Sequence, residues 1–167
     1  MLLLEILIIL LLILLNGFFA ASEISLISLR KSRVRHLVKS GNAKAKRIQK
    51  HQEEPERFLA VIQICITLIG TLAATFGGVI AIERIKPFLA SLPVEIVSKA
   101  AEPISVVVVV GLLTYLTLVF GELVPKSLAI RYSEKIAFIT STPIDILSRL
   151  FHWILRVLTV SNNFIIG

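Results

Sequence analysis

Cysteine is nearly missing from this sequence. Cys65 stands alone inside an apolar run, so no disulfide can form within the chain and the redox compartment stays open. No G-x-x-x-x-G-K stretch occurs, which removes the usual nucleotide-phosphate loop, and H-E-x-x-H, G-x-S-x-G and a paired-aspartate signature are also missing. Those absences argue against an enzyme. The first apolar run has no basic segment before it, exceeds the usual leader length, and is followed by no small-x-small site that precedes a soluble mature domain, so it reads as a retained span. The net charge of +7 is not interleaved with aromatics and clusters beside apolar runs, which points to membrane topology and away from nucleic acid.

What is present is apolar. Of 167 residues, 56% are hydrophobic, and the mean hydropathy is +0.87, well above soluble chains. An all-α integral membrane fold follows, with three transmembrane helices and cytoplasmic juxtamembrane amphipathic helices. The transmembrane domain covers 1–132, with spans at about 2–29, 58–82 and 103–124, because about 20 helical residues cross a hydrocarbon core. Span one is longer than it needs to be, and Asn16-Gly17 offers a place to bend. Beyond it, Ser22, Ser25 and Ser28 fall along one helical face, where small hydroxylated residues allow close packing or act as neutral oxygen ligands.

The loop 30–57 is strongly basic and therefore cytoplasmic, placing the N-terminus outside and the C-terminus inside. Ser40-Gly41-Asn42 splits it into two short helices whose charges suit anionic headgroups. Span two carries Gln63, Thr67, Thr71 and small residues at helical spacing, which fits a helix–helix seam or a polar pathway. Residues 133–167 predict amphipathic helices. Asp145, Arg149, His152 and Arg156 take one face, and Ile144, Leu147, Leu150, Phe151, Ile154 and Leu158 the other, as an interfacial helix would.

The chemistry gathers in YLTLVFGELVPKSLAIR, residues 115–131. Glu122 closes an apolar run, and an ionisable side chain at that depth marks a functional site by default. Pro125 has no N–H to give the carbonyl four residues back, which frees the oxygen of Gly121 beside that carboxylate. Two hard oxygens at one point suit a small, hard cation. Thr117 and Lys126 lie close in sequence as pathway or supporting groups, with Asn16, Ser28, Gln63, Thr67 and Thr71. Pairing of Glu122 with Lys126, one turn on, is the structural alternative.

NGFFAASEISLISLRKSR (16–33), ERFLAVIQICITLIGTLAATFGG (56–78) and FGELVPKSLA (120–129) together resemble the transmembrane domain of the CorC/cyclin M (CNNM) family. The resemblance implies a homodimer in the cell (inner) membrane that exports Mg²⁺ from the cytoplasm, coupled to inward Na⁺. It implies Ser22, Ser25, Gly121 and Glu122 as metal ligands. Many relatives carry an asparagine before the Thr67-Leu68 pair where this chain has Ile66, so that ligand has no counterpart here. Relatives continue into a cytoplasmic CBS-pair module, through which alone ATP binding is expected. Gly17 and the Gly121–Pro125 break are the candidate hinges. The rivals are a non-transporting Mg²⁺ sensor or regulatory module, and an intramembrane hydrolase using Ser22 with Lys126.

Overall fold

The computed structural model describes residues 2–166, the side chains at 2, 95, 159, 162, 163, 165 and 166 excepted. Every regular element among the described residues is helical: α1 Leu2–Ser28, α2 Lys31–Lys39, α3 Ala43–Glu53, α4 Pro55–Ile80, α5 Lys86–Ala90, α6 Glu95–Lys99, α7 Ala101–Leu118, α8 Val124–Arg131, α9 Ser133–Leu150 and α10 His152–Ile166. Two π turns, Ala81–Ile85 and Val119–Leu123, join α4 to α5 and α7 to α8. Three helical runs, Leu3–Ser28, Pro55–Ala90 and Ala101–Arg131, are long and apolar enough to cross a membrane. Two prolines stand where a missing N–H costs little, Pro55 opening α4 and Pro103 in the first turn of α7, whereas Pro143 lies inside α9.

The chain forms two compact units. The first takes the chain up to Gly17 together with Thr67–Val124. Its core is made by Ile9, Leu12 and Ile13 of α1, Ile69 and Ala73 of α4, and Val109 of α7. Gly77 lets α7 in closely, since a Cβ there would collide with Cδ1 of Leu113. Leu3, Leu11 and Leu14 of α1 and Val107, Val108 and Leu112 of α7 face outward, as side chains that meet lipid should. Lys86 pairs with Glu102 and ties α5 to the start of α7. Most of the small-residue stripe of α4 does not pack within this unit: Thr67, Gly70, Thr71 and Ala74 are exposed, and only Gly77 is buried.

The second unit takes Phe18–Ile66 and the chain from Pro125 onward. Helices α2 and α3 meet at Gly41, whose φ of +84° lies in the left-handed region that glycine tolerates best. Asn42 then caps α3, its side chain accepting from the N–H groups of Lys44 and Ala45. Ala45, Ile48 and His51 form the buried face of α3, which packs on α9. Three arginines of the basic segment are tied to side chains or backbone of α9. Arg33 makes a two-pronged bond to Glu134 at 2.9 and 3.1 Å, Arg47 donates to the Thr142 hydroxyl at 2.6 Å, and Arg57 donates to the Ser148 carbonyl at 3.4 Å. Gln52 closes the end of α1, its amide donating to the carbonyls of Leu26 at 3.2 Å and Leu29 at 2.8 Å.

The expected face pattern of the tail is corrected. The run from Asp145 to Arg156 is not one helix, because the chain turns at Phe151 between α9 and α10. The buried face of α9 is its small and polar one, with Thr140, Ser141, Asp145 and Ser148 beside Ala137 and Ile144. Leu150, Trp153 and Ile146 point outward instead. Small hydroxylated side chains are what let α3 approach this closely, and Asp145 keeps a partner in Arg149 at 2.7 Å.

Replacing Gln52 with leucine removes both bonds to the end of α1 while keeping the bulk. A loss of about 1–3 kcal/mol is expected, read as a lower thermal midpoint of the purified chain, while Gln52→Glu, which cannot donate, should lose at least as much.

Candidate functional site

The first unit holds the break expected from Pro125. Ahead of it the helix widens into the π turn Val119–Leu123, in which the N–H of Val124 reaches back five residues to the carbonyl of Val119. Such single π turns are frequent at functional sites. Gly121 is buried at its centre and Glu122 is half-buried beside it. The Gly121 carbonyl is not left spare as the sequence suggested. The buried side-chain amide of Asn16 donates to it at 3.0 Å across 105 residues of sequence. A carbonyl oxygen carries two lone pairs, and Asn16 takes one of them. A side chain here would be crowded. A Cβ at position 121 would stand 3.2 Å from Nδ2 of Asn16, 3.3 Å from Cγ2 of Thr117 and 3.4 Å from the Ile13 carbonyl. Asn16 is therefore a direct support of the π turn.

The second unit holds Ser22 and Ser25. Both are fully buried on α1, and each hydroxyl gives its proton to its own helix: Ser22 to the Phe18 carbonyl at 2.6 Å, Ser25 to the Ser22 carbonyl at 2.9 Å. A hydroxyl that has donated its proton keeps its lone pairs, so both oxygens are presented as acceptors. They line a small cavity with Leu26, Ile48, His51, Phe58, Ala137, Thr140 and Ser141. His51 is 6% exposed, and its Nε2 has no hydrogen-bond partner. Burial pushes the His51 imidazole below its ordinary pKa, while the charge of Asp145 and the backbone of Ser141 pull weakly the other way.

The remaining candidates are placed as follows on the two units. Ser28 is exposed at the rim of an open depression with Arg30, Arg33, His36 and Glu134. Gln63, Thr67 and Thr71 are exposed on α4, and Thr71 donates to the Thr67 carbonyl at 2.8 Å. Thr117 touches the Gly121 position, and Lys126, in the second unit, is half-buried on α8. Among the described residues no three His, Cys, Asp or Glu side chains converge as a transition-metal site would require. His51, Thr140 and Ser141 are the polar residues that reading the sequence passed over. Their one sequence signal is the spacing of Ala45, Ile48 and His51, which marks the inner face of α3 once the basic residues are set aside.

Over residues 7–167 the chain matches the family described as cyclin M transmembrane N-terminal domain. It is 40% identical over 160 residues to the UPF0053 protein sll0260 of Synechocystis, covering 96% of this chain and 35% of that protein. The UPF0053 inner membrane protein YfjD of Escherichia coli is 29% identical over 147 residues, 86% of this chain and 31% of that protein. A Haemophilus influenzae protein named polyamine export protein is 33% identical over 131 residues, 75% of this chain and 28% of that protein. The chain thus spans about a third of the length of the curated relatives it matches.

Two outcomes are expected. Asn16→Leu leaves the buried Gly121 oxygen without its donor and should cost about 1–3 kcal/mol, seen in thermal unfolding, whereas Asn16→Gln can restore part of the loss. The unfolded imidazole of residue 51 binds a proton below pH ~6.5, while the folded one resists it, so this residue's contribution to stability falls as pH drops through that value. The decline should flatten below the lowered folded pKa, and His51→Leu should remove that component of the slope in a series of melts from pH 7.5 to pH 5, a range set about the ordinary histidine value.

Proposed function

Since the chain belongs to the cyclin M (CNNM) family, we propose that this multi-pass membrane protein carries Mg²⁺ out of the cytoplasm in exchange for inward Na⁺. The observation that carries the reading is the π turn at Gly121–Glu122. There a carboxylate and a peptide carbonyl stand together at a π turn on a helix long enough to span a bilayer. Mg²⁺ is small, takes oxygen ligands in octahedral number and keeps water readily. The ligands that the first unit offers it are the Glu122 carboxylate and the Gly121 carbonyl. One carboxylate among neutral oxygens gives moderate affinity, which suits an ion that must also leave.

Coupling follows from the membrane voltage. Lifting one charge against 100 mV costs about 2.3 kcal/mol, and a divalent ion about twice that, so outward movement needs a driving gradient. With no nucleotide-phosphate loop in the chain, an inward cation supplies it. The basic segment from Arg30 to Arg57 sets the orientation, with the N-terminus outside and the C-terminus in the cytoplasm. The exposed stripe of Thr67, Gly70, Thr71 and Ala74 on α4 suits close approach of a second copy and supports a homodimer. The Gly121–Pro125 break is the element best placed to flex during exchange, since it is where regular α-helix is already interrupted.

The test is flux. In liposomes carrying a Mg²⁺-sensitive dye, the wild-type chain should move Mg²⁺ against an opposed Na⁺ gradient, and Glu122→Gln should lower that flux at least about tenfold, the equivalent of ~1.4 kcal/mol. Undiminished flux in Glu122→Gln would sink the reading. Mg²⁺ binding without flux in the wild type would favour a sensor. Transport of a polyamine in place of Mg²⁺ would assign this chain the cargo named for its Haemophilus relative.

A further inference from the structure

The open depression at the end of α1 is lined by residues of the second unit alone, with Ser28 of α1, His36 of α2 and Ser133 of α9 marking its extent. Its volume of ≈ 580 Å³ falls in the range of about 300–1,000 Å³ usual for small-molecule sites. Two helical runs long and apolar enough to cross a membrane finish here. One ends at Ser28, which lines the depression, and the other at Arg131, two residues before Ser133. Arg131 lies over the Tyr132 ring at 5.6 Å, and both side chains are exposed. Tyrosine and arginine at the end of a span are the usual anchors at the level of lipid headgroups.

Most polar groups in this lining are left unused by the fold. Arg30 is exposed, and its guanidinium has no partner among the described residues. The hydroxyls of Ser28, Ser32 and Ser133 are likewise free there, whereas those of Ser22, Ser25 and Ser141 each donate to a carbonyl of their own helix. Arg33 gives Glu134 two of a guanidinium's five N–H groups, from Nε and Nη2. That fork neutralises the carboxylate in the lining and leaves Nη1 to donate elsewhere. The depression therefore presents guanidinium and hydroxyl donors with an excess of positive charge. Between Arg30 and Lys50 the chain has nine lysines and arginines and no acid, so an approaching anion meets no opposing field from that segment.

We propose that this depression binds the phosphate-bearing headgroup of an anionic phospholipid, paired by Arg30, with Nη1 of Arg33 and the hydroxyls of Ser28, Ser32 and Ser133 as further donors. Guanidinium on phosphate is a two-pronged, charge-assisted match that the point charge of a lysine does not make. Position selects a lipid over a soluble phosphate, because headgroups crowd the level at which the two spans end. A lipid held there bridges the end of α1, α2 and α9, and adds to the tie that Arg33 and Glu134 already make. The site is independent of the cargo proposed above.

The experiment follows the thermal midpoint of the purified chain in phosphatidylcholine nanodiscs as phosphatidylglycerol replaces that lipid in steps, at constant ionic strength. A rise that saturates with the phosphatidylglycerol fraction is expected. Arg30→Gln should raise the fraction needed for half the effect about fivefold, the equivalent of ~1 kcal/mol, the usual worth of one basic residue at an anionic surface. Because the Arg30 side chain holds no other group, this variant should melt with the wild type in phosphatidylcholine alone. Lys44→Gln and Lys46→Gln remove the same charge from α3, outside the depression, and should leave the half-effect fraction where it stands. If either moves it as far as Arg30→Gln does, the attraction belongs to the basic segment at large and the site is overturned. Equal midpoints at every lipid composition overturn it as well. So does a rise driven by inorganic phosphate in phosphatidylcholine discs, which would give the depression to a soluble anion instead of a lipid.

Discussion

One buried hydrogen bond governs the first unit: the amide of Asn16 on the carbonyl of Gly121. Pro125 cannot donate to that carbonyl, and water is scarce in the middle of a bilayer, so an oxygen left bare there would cost several kcal/mol. The chain answers in two ways. It widens the helix by one residue into a π turn, and it brings a polar side chain from α1 to the exposed acceptor. Both answers require closeness, which is why position 121 has no side chain and why Thr117 and the Ile13 carbonyl sit at its surface. The carboxylate at 122 inherits its place from this arrangement.

The second unit solves a different problem, that of packing helices with few large apolar residues. Helix α3 has only Ala45, Ile48 and His51 on its inner face, and α9 meets it with Ala137, Thr140, Ser141 and Ile144. Burial of so little hydrocarbon gives a modest hydrophobic gain, at about 25 cal/mol per Å². Arginine forks and side chain–backbone bonds supplement it, with Arg33, Arg47, Arg57 and Gln52 each reaching another element. The exposed pairs contribute little singly, and burial of the hydroxyls is tolerated because each is satisfied within its own helix.

The three spans were legible because a helix that stays apolar for the thickness of a bilayer is stable almost nowhere but in one. The turn at Gly41 was legible because Ser-Gly-Asn chemistry is local, and Glu122 with Pro125 stood out as a violation of the membrane's rules. What the sequence concealed was relational. Asn16 drew notice beside Gly17 for its local chemistry, but its bond to a residue 105 positions away is a separation that no periodicity encodes. The tail misled for the same reason. Its charged spacing continues smoothly past Phe151, where neither glycine nor proline announces the turn, and its polar face is buried because α3 offers an equally small surface. His51 went unnoticed among Lys50, Gln52 and Glu53, since nothing in its neighbours distinguishes an inward ring from an outward one.

The local hydroxyl bonds of Ser22 and Ser25 have one more consequence. Because each serine hydroxyl donates only to a carbonyl of its own helix, no hydrogen bond between helices depends on it. Both side chains are nevertheless fully buried against α3 and α9, so alanine would leave the bonding intact and open space, whereas a bulkier residue would press on its neighbours. Variation at these two positions is bounded by volume before it is bounded by polarity.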